Sequence, residues 1–117
     1  MGRQCGRQPR EPQACRFIYL TEQDILGNHI FEDGVAYGGW PMDEHTAGGF
    51  AAKGKIPSKV RSFEGLYSIP YGCYCSRNIE NLMMSGRNIS ASKLAMGSTR
   101  VMGTCAWAVR PLERQRR

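Results

Sequence analysis

The chain has 117 residues, 41% of them hydrophobic, with 14 glycines, 6 prolines, 5 cysteines and a formal net charge of +6. That length holds one small domain or a piece of a larger one, and no apolar run approaches the ~20 residues of a membrane helix. The charge excess lies in the two ends: residues 1–16 and 110–117 each carry four basic residues against one acid, while the middle is balanced. Arg3, Arg7, Arg10, Arg16, Arg110, Arg114, Arg116 and Arg117 could contact phosphates, but no aromatic residue interleaves them, which weighs against a nucleic-acid interface. Residues 1–17 lack the apolar stretch of a signal peptide, so the expected location is cytoplasmic.

In chain order, Phe17–Leu20 reads as a β-strand. Thr21 then caps a short helix through Leu26, with Asp24 at the third helical position to complete a capping box, and Gly27-Asn28 stops it. Val35–Tyr37 reads as a strand entering a Gly38-Gly39-Trp40-Pro41 turn. His45 follows, beside Asp43 and Glu44; on the residues alone it is a solvated loop histidine, and His29 has no further support. Ala47–Val60 is polar, without periodicity, and reads as an exposed loop whose Lys53, Lys55 and Lys59 are solvated. Phe63–Tyr74 returns to apolar and aromatic residues, with Pro70 holding Ile69 extended.

The most informative stretch is Asn81–Ala106, NLMMSGRNISASKLAMGSTRVMGTCA. Ile79–Ser85 reads as a short strand buried on both faces, or alternatively a buried helical turn, that ends at a sharp turn on Gly86. From Ser98 the chain reads as a helix whose first turn is Ser98, Thr99 and Arg100, with Gly97 allowing a close backbone approach. A helix start presents unpaired N–H groups and the positive end of its dipole, so a phosphate or the C2 carbonyl edge of a flavin is stabilised there. Strand, glycine turn and capped helix form a common arrangement and do not by themselves mark a cofactor site.

Three segments together carry a more specific signal. Asn81–Ala106 resembles the flavin-contacting segment N-L-x-x-[AS]-G-R, I-S-A-[ST]-H-x-A, G-S-T-R-V-M-x-T-C of the FAD-dependent oxidoreductase family whose members are often described as heterodisulfide reductase-like. Tyr37–Asp43 with His45 resembles its Y-G-G-W-x-x-D-x-H, and Tyr67–Tyr71 its Y-x-I-P-Y-R. The resemblance covers residues 17–106. It implies an α/β fold, the C-terminal part of a Rossmann-like FAD-binding flavoprotein, incomplete and with irregular arms. Gly86, Arg87, Asn88, Ile89 and Ser90 would line the FAD, and Gly97, Ser98, Thr99 and Arg100 would open a helix facing it. His45 and Tyr71 would serve on the side of a small-molecule substrate. Two positions depart from the pattern: Gly72 stands where the motif has Arg, and Lys93 where the loop has His. Both changes bear on substrate handling more than on flavin contact.

No G-x-G-x-x-G follows a strand near the start, so the pyrophosphate-binding βαβ unit would come from a missing N-terminal dinucleotide-binding part of the same protein. The isolated chain is then expected to be inactive. A small basic nucleic-acid-binding module, or a structural piece with no ligand, are the competing readings. The cysteines lack zinc or iron–sulfur spacing, so no metal site is expected; a 4Fe–4S cluster would rest only on relatives in the wider family. Their odd, unpaired count suits a reducing compartment. Residues 1–16 and 107–117 read as irregular basic arms outside the family pattern. Shifting the frame by one base in a back-translation of Trp107 onward yields MGRAAVGAAAA, the alternation with which the family helix continues, so both arms are consistent with frameshifts.

Overall fold

The structure, a computed structural model, describes residues 16–115; the expectations for residues 1–15 and for Arg116 and Arg117 lie outside the described residues. Helices α1 (Glu22–Leu26), α2 (Lys93–Thr99) and α3 (Met102–Gln115) accompany strands β1 (Gly34–Gly38), β2 (Met42–His45), β3 (Ser58–Arg61) and β4 (Tyr67–Pro70). The strands form two antiparallel pairs, β1 with β4 and β2 with β3. Helices combined with small antiparallel sheets are compatible with a piece of an α/β protein. A parallel, doubly wound sheet is not what the described residues form.

Helix α1 follows from its sequence. Thr21 accepts from Asp24 N–H, and the Asp24 carboxylate accepts in return from Thr21 N–H at 2.8 Å, closing the capping box. Gly27 is the C-cap, and Asn28 turns the chain with a φ of 50°, a conformation that asparagine tolerates better than most residues. Strand β1 contains the expected Val35–Tyr37. It pairs Ala36 with Ile69 and Gly38 with Tyr67, with a register shift between Gly34 and Ala36. All four residues of β4 are buried. One edge lies against β1, and on the other Ser68 N–H donates to His29 O at 3.0 Å. The core gathers Leu20, Ile25, Met42, Tyr67, Ile69 and Tyr74 between the helices and the strand pairs.

Several expectations change here. Phe17–Leu20 forms no strand beyond an isolated parallel bridge, Leu20 to Ala91; Ile18 N–H donates to Gly72 O at 3.2 Å, Leu20 N–H to Ser90 O at 3.0 Å and Ser92 N–H to Leu20 O at 2.8 Å. Ile79–Ser85 is not a strand buried on both faces. Its backbone pairs with the Tyr74–Ser76 segment, through the isolated Cys75–Met83 bridge, Met84 N–H donating to Tyr74 O at 2.8 Å and Ser76 N–H to Leu82 O at 2.9 Å; with only this irregular partner among the described residues, Ile79, Leu82 and Met84 are left exposed. The polar stretch read as loop, Ala47–Val60, runs into β3, which lies across β2 with Lys59 opposite Glu44 and Val60 opposite Asp43. From Trp107 the chain is not irregular but continues α3 to Gln115. Cys75 takes part in a disulfide, which departs from the unpaired count expected, while Cys73 and Cys105 are free thiols.

Candidate functional site

The three motif segments meet. Ser98, fully buried, donates its hydroxyl to Trp40 O and stands 2.7 Å from the Tyr67 hydroxyl; with the serine proton on Trp40 O, Tyr67 is the donor to Ser98 Oγ. Burial pushes the Tyr67 hydroxyl up to about 12, partly offset by its bond to Ser98, because an ionised phenolate there would lose its solvation. A Cβ on Gly38 would overlap the Tyr67 hydroxyl oxygen, so only glycine leaves room for that ring. A Cβ on Gly97 would lie 2.7 Å from Asp43 O and 3.0 Å from Asp43 N. The close approach anticipated at Gly97 is therefore to strand β2.

This arrangement corrects the helix boundary. Ser98 and Thr99 end α2, and Arg100 is its C-cap, with its N–H donating to Met96 O. The helix that begins in this region is α2 itself, capped by the Ser92 hydroxyl accepting from Ala95 N–H at 3.1 Å; the next, α3, starts at Met102. Gly97-Ser98-Thr99 imitates a helix start in sequence because Gly and Ser favour caps. Here the burial of Ser98 against Tyr67 and of Gly97 against Asp43 outweighs that preference. Arg100 Nη2 donates to Asp43 O at 3.2 Å and stands 3.6 Å from Asp43 Oδ2.

Asp43 links this joint to His45, whose Nε2 is 3.4 Å from Asp43 Oδ2. The other carboxylate oxygen of Asp43 is buried without a hydrogen-bond partner among the described residues. His45 is exposed at the end of β2, and Tyr71 begins a 3₁₀ turn after β4 with its hydroxyl 3.5 Å from Met83 Sδ. The two residues implied for substrate thus lie beside different strand pairs with separate partners. Lys93 Nζ donates to Glu44 Oε1 at 2.6 Å, and that bond, together with the lysine charge, holds the Glu44 carboxyl below the usual carboxylate range. Gly72 has a structural reason: a Cβ there would overlap Arg16 O and lie 2.7 Å from Ile18 Cγ1, so an arginine would displace the N-terminal segment.

The Gly86 turn has a different character. Gly86 has a φ of +79°, and a Cβ built on it would meet nothing within 4 Å. Gly86–Asn88 forms a 3₁₀ turn against which α3 packs. Arg87 and Asn88 are exposed, whereas Ile89 is buried and Ser90 N–H donates to Cys73 O at 2.8 Å. The hydroxyl of Ser85, just before the turn, is buried with no partner among the described residues.

A family model described as FAD dependent oxidoreductase matches residues 17–108. The chain belongs to that family. No curated protein and no solved structure gives a match. FAD is the cofactor the family implies, and the two halves of the motif stretch fit it differently. The Gly86 turn has open space on its Cβ side and an orphaned hydroxyl at Ser85, which suits a polar ligand drawn close to the backbone. Gly97, Ser98, Thr99 and Arg100 direct their contacts to Asp43, Trp40, Tyr67 and Met96. Tyr67 and Asp43, which carry this joint, are motif residues to which the resemblance assigns no role; their signal is that each sits at a fixed place in the motifs that also hold the site residues.

Proposed function

We propose that the chain is the flavin-facing part of an FAD-dependent oxidoreductase of the heterodisulfide reductase-like kind, and that it works with an N-terminal dinucleotide-binding part of the same protein. The family match over residues 17–108 carries this reading. FAD, when bound, supplies the hydride chemistry. Gly86, Arg87, Asn88, Ile89 and Ser90 line the isoalloxazine and ribityl side, with the Ser85 hydroxyl as a further donor. The unpaired N–H groups at the start of α3, Met102 to Thr104, replace Ser98–Arg100 as the positive helix end that stabilises negative charge near the cofactor. Gly97, Ser98, Thr99 and Arg100 support this region from behind by fixing α2 on β2. On the substrate side, His45 holds or moves a proton with Asp43 orienting its ring, and Tyr71 offers a hydroxyl.

The exposure of Leu82, Met84, Met102 and Trp107 suits a surface covered by further protein, and the described residues contain no βαβ unit to cradle a pyrophosphate. Adding FAD to the purified chain and following flavin fluorescence tests the division of labour. Weak, substoichiometric binding is expected from half a site; stoichiometric, tight binding by the chain alone would show that no second part is needed.

A further inference from the structure

The lysine-rich stretch, taken from sequence as solvated loop, forms one wall of a cleft of about 550 Å³ whose lining includes Glu44, His45, Lys55, Ile56, Lys59 and Lys93. Its geometry is tied at the base. Thr46 N–H donates to Pro57 O at 2.9 Å and the Thr46 hydroxyl donates to Ile56 O, so Lys55 and Ile56 are held beside His45. Strand β3 places Lys59 opposite Glu44. From α2, Lys93 reaches the same carboxylate at 2.6 Å.

The charges do not balance. Glu44 is the one carboxylate in the lining, and it is engaged by Lys93. Among the described residues no carboxylate lies within ion-pair distance of Lys55 or Lys59. Converging like charges in a concave, partly apolar site raise the local positive potential and favour an anion. Ammonium groups act as strong point-charge donors to phosphate and carboxylate oxygens. The volume falls in the range of small-molecule pockets, about 300–1,000 Å³.

We propose that this cleft binds a small molecule bearing an oxyanion, a carboxylate or a phosphate, held by Lys55 and Lys59 with His45 as a further nitrogen contact and Ile56 as an apolar wall. The proposal shares His45 with the substrate-side part of the proposed function but uses none of Gly86–Ser90 or α3, so oxyanion binding can fail without touching the flavin assignment.

The test is a ¹H–¹⁵N NMR titration of the full chain at low salt with inorganic phosphate and, separately, with succinate. Saturable shifts at His45, Thr46, Lys55 and Lys59 are expected, and whichever probe binds more tightly identifies the source of the oxyanion. The exposed double change Lys55→Met with Lys59→Met should weaken that binding at least about tenfold, and added salt should weaken it in the wild type. Lys53→Met, outside the cleft lining, should leave it unchanged. Absence of shifts with both probes, or equal affinity in the double variant, would overturn the proposal. So would shifts produced only by an oligonucleotide, which would make the lysines part of a polyanion surface.

Discussion

At Gly97 a Cβ would stand 2.7 Å from Asp43 O, whereas at Gly86 it would meet no atom within 4 Å, although both glycines belong to the single motif stretch Asn81–Ala106. Gly97 is glycine because another part of the same chain already occupies the space. Gly86 is glycine because its φ of +79° is one that L side chains rarely adopt, and its surroundings are left open. A motif glycine can therefore report either an internal joint or a surface reserved for something else, and only the neighbouring atoms distinguish the two. In this chain the helix-end half of the motif is the joint and the Gly86 turn is the open surface.

The largest effect expected of breaking this contrast is at the joint. Gly97→Ala and Gly38→Ala each place a methyl group where backbone or a buried ring already stands, and should each lower unfolding free energy by about 1–3 kcal/mol, measured by urea denaturation. A loss of less than a few tenths at both positions would mean that α2 and β2 separate easily. Gly86→Ala should cost about 1–2 kcal/mol through its own backbone conformation, with no clash against other parts of the chain.

Next in size is the hydrogen-bonded bridge between motifs. Tyr67→Phe should cost about 1 kcal/mol, since Ser98 keeps its bond to Trp40 O, and should also change the pH dependence. The Tyr67 hydroxyl is raised from 10.0 to about 12 and the Cys73 thiol from 9.0 to about 12, both by burial. Groups raised on folding stabilise the fold fully below their unfolded values, and that contribution is lost as pH climbs through the folded ones. The wild-type melting temperature should therefore fall progressively between pH 9 and 12, and Tyr67→Phe should flatten the part of that decline above pH 10. An unchanged alkaline profile in the variant would show that the decline comes from Cys73 and the likewise raised, buried Tyr74 rather than from Tyr67.

The smallest effect belongs to the exposed pair. Lys93→Met removes the contact with Glu44, but the lysine side chain is 79% exposed, and solvent screening leaves such pairs with little net stabilisation. No measurable change in melting temperature is expected. A clear drop would indicate that α2 depends on this contact for its docking.

Features governed by neighbouring residues were legible in the sequence. The Thr21/Asp24 capping box, the Gly27-Asn28 stop, the strand at Val35–Tyr37 and the turn at Gly86 each depend on contacts or dihedrals within a few positions. What was not legible depends on distant partners. β3 has no alternating pattern because Lys59, Val60 and Arg61 are all exposed, so its pairing with β2 leaves no apolar trace. Ser98 sits inside the end of α2 rather than opening a helix, in contact with Tyr67, thirty-one residues away. The apolar run at Ile79–Ser85 has strand composition, but among the described residues its backbone pairs only with the irregular Tyr74–Ser76 segment. Of the candidate site residues, Gly86 could be read from its own chemistry. The inward contacts of Gly97–Arg100 required knowing where Asp43 lies.

The most direct test of the flavin-side assignment is flavin content per chain, measured by absorbance, when the chain is co-produced with the N-terminal dinucleotide-binding part proposed above. The Gly86-turn assignment predicts near-stoichiometric flavin in the wild-type assembly, marked loss on Gly86→Leu, and retention on Arg100→Gln, because Arg100 contacts Asp43 rather than the open turn. Full flavin in Gly86→Leu together with loss in Arg100→Gln would contradict it and return the cofactor contact to the end of α2.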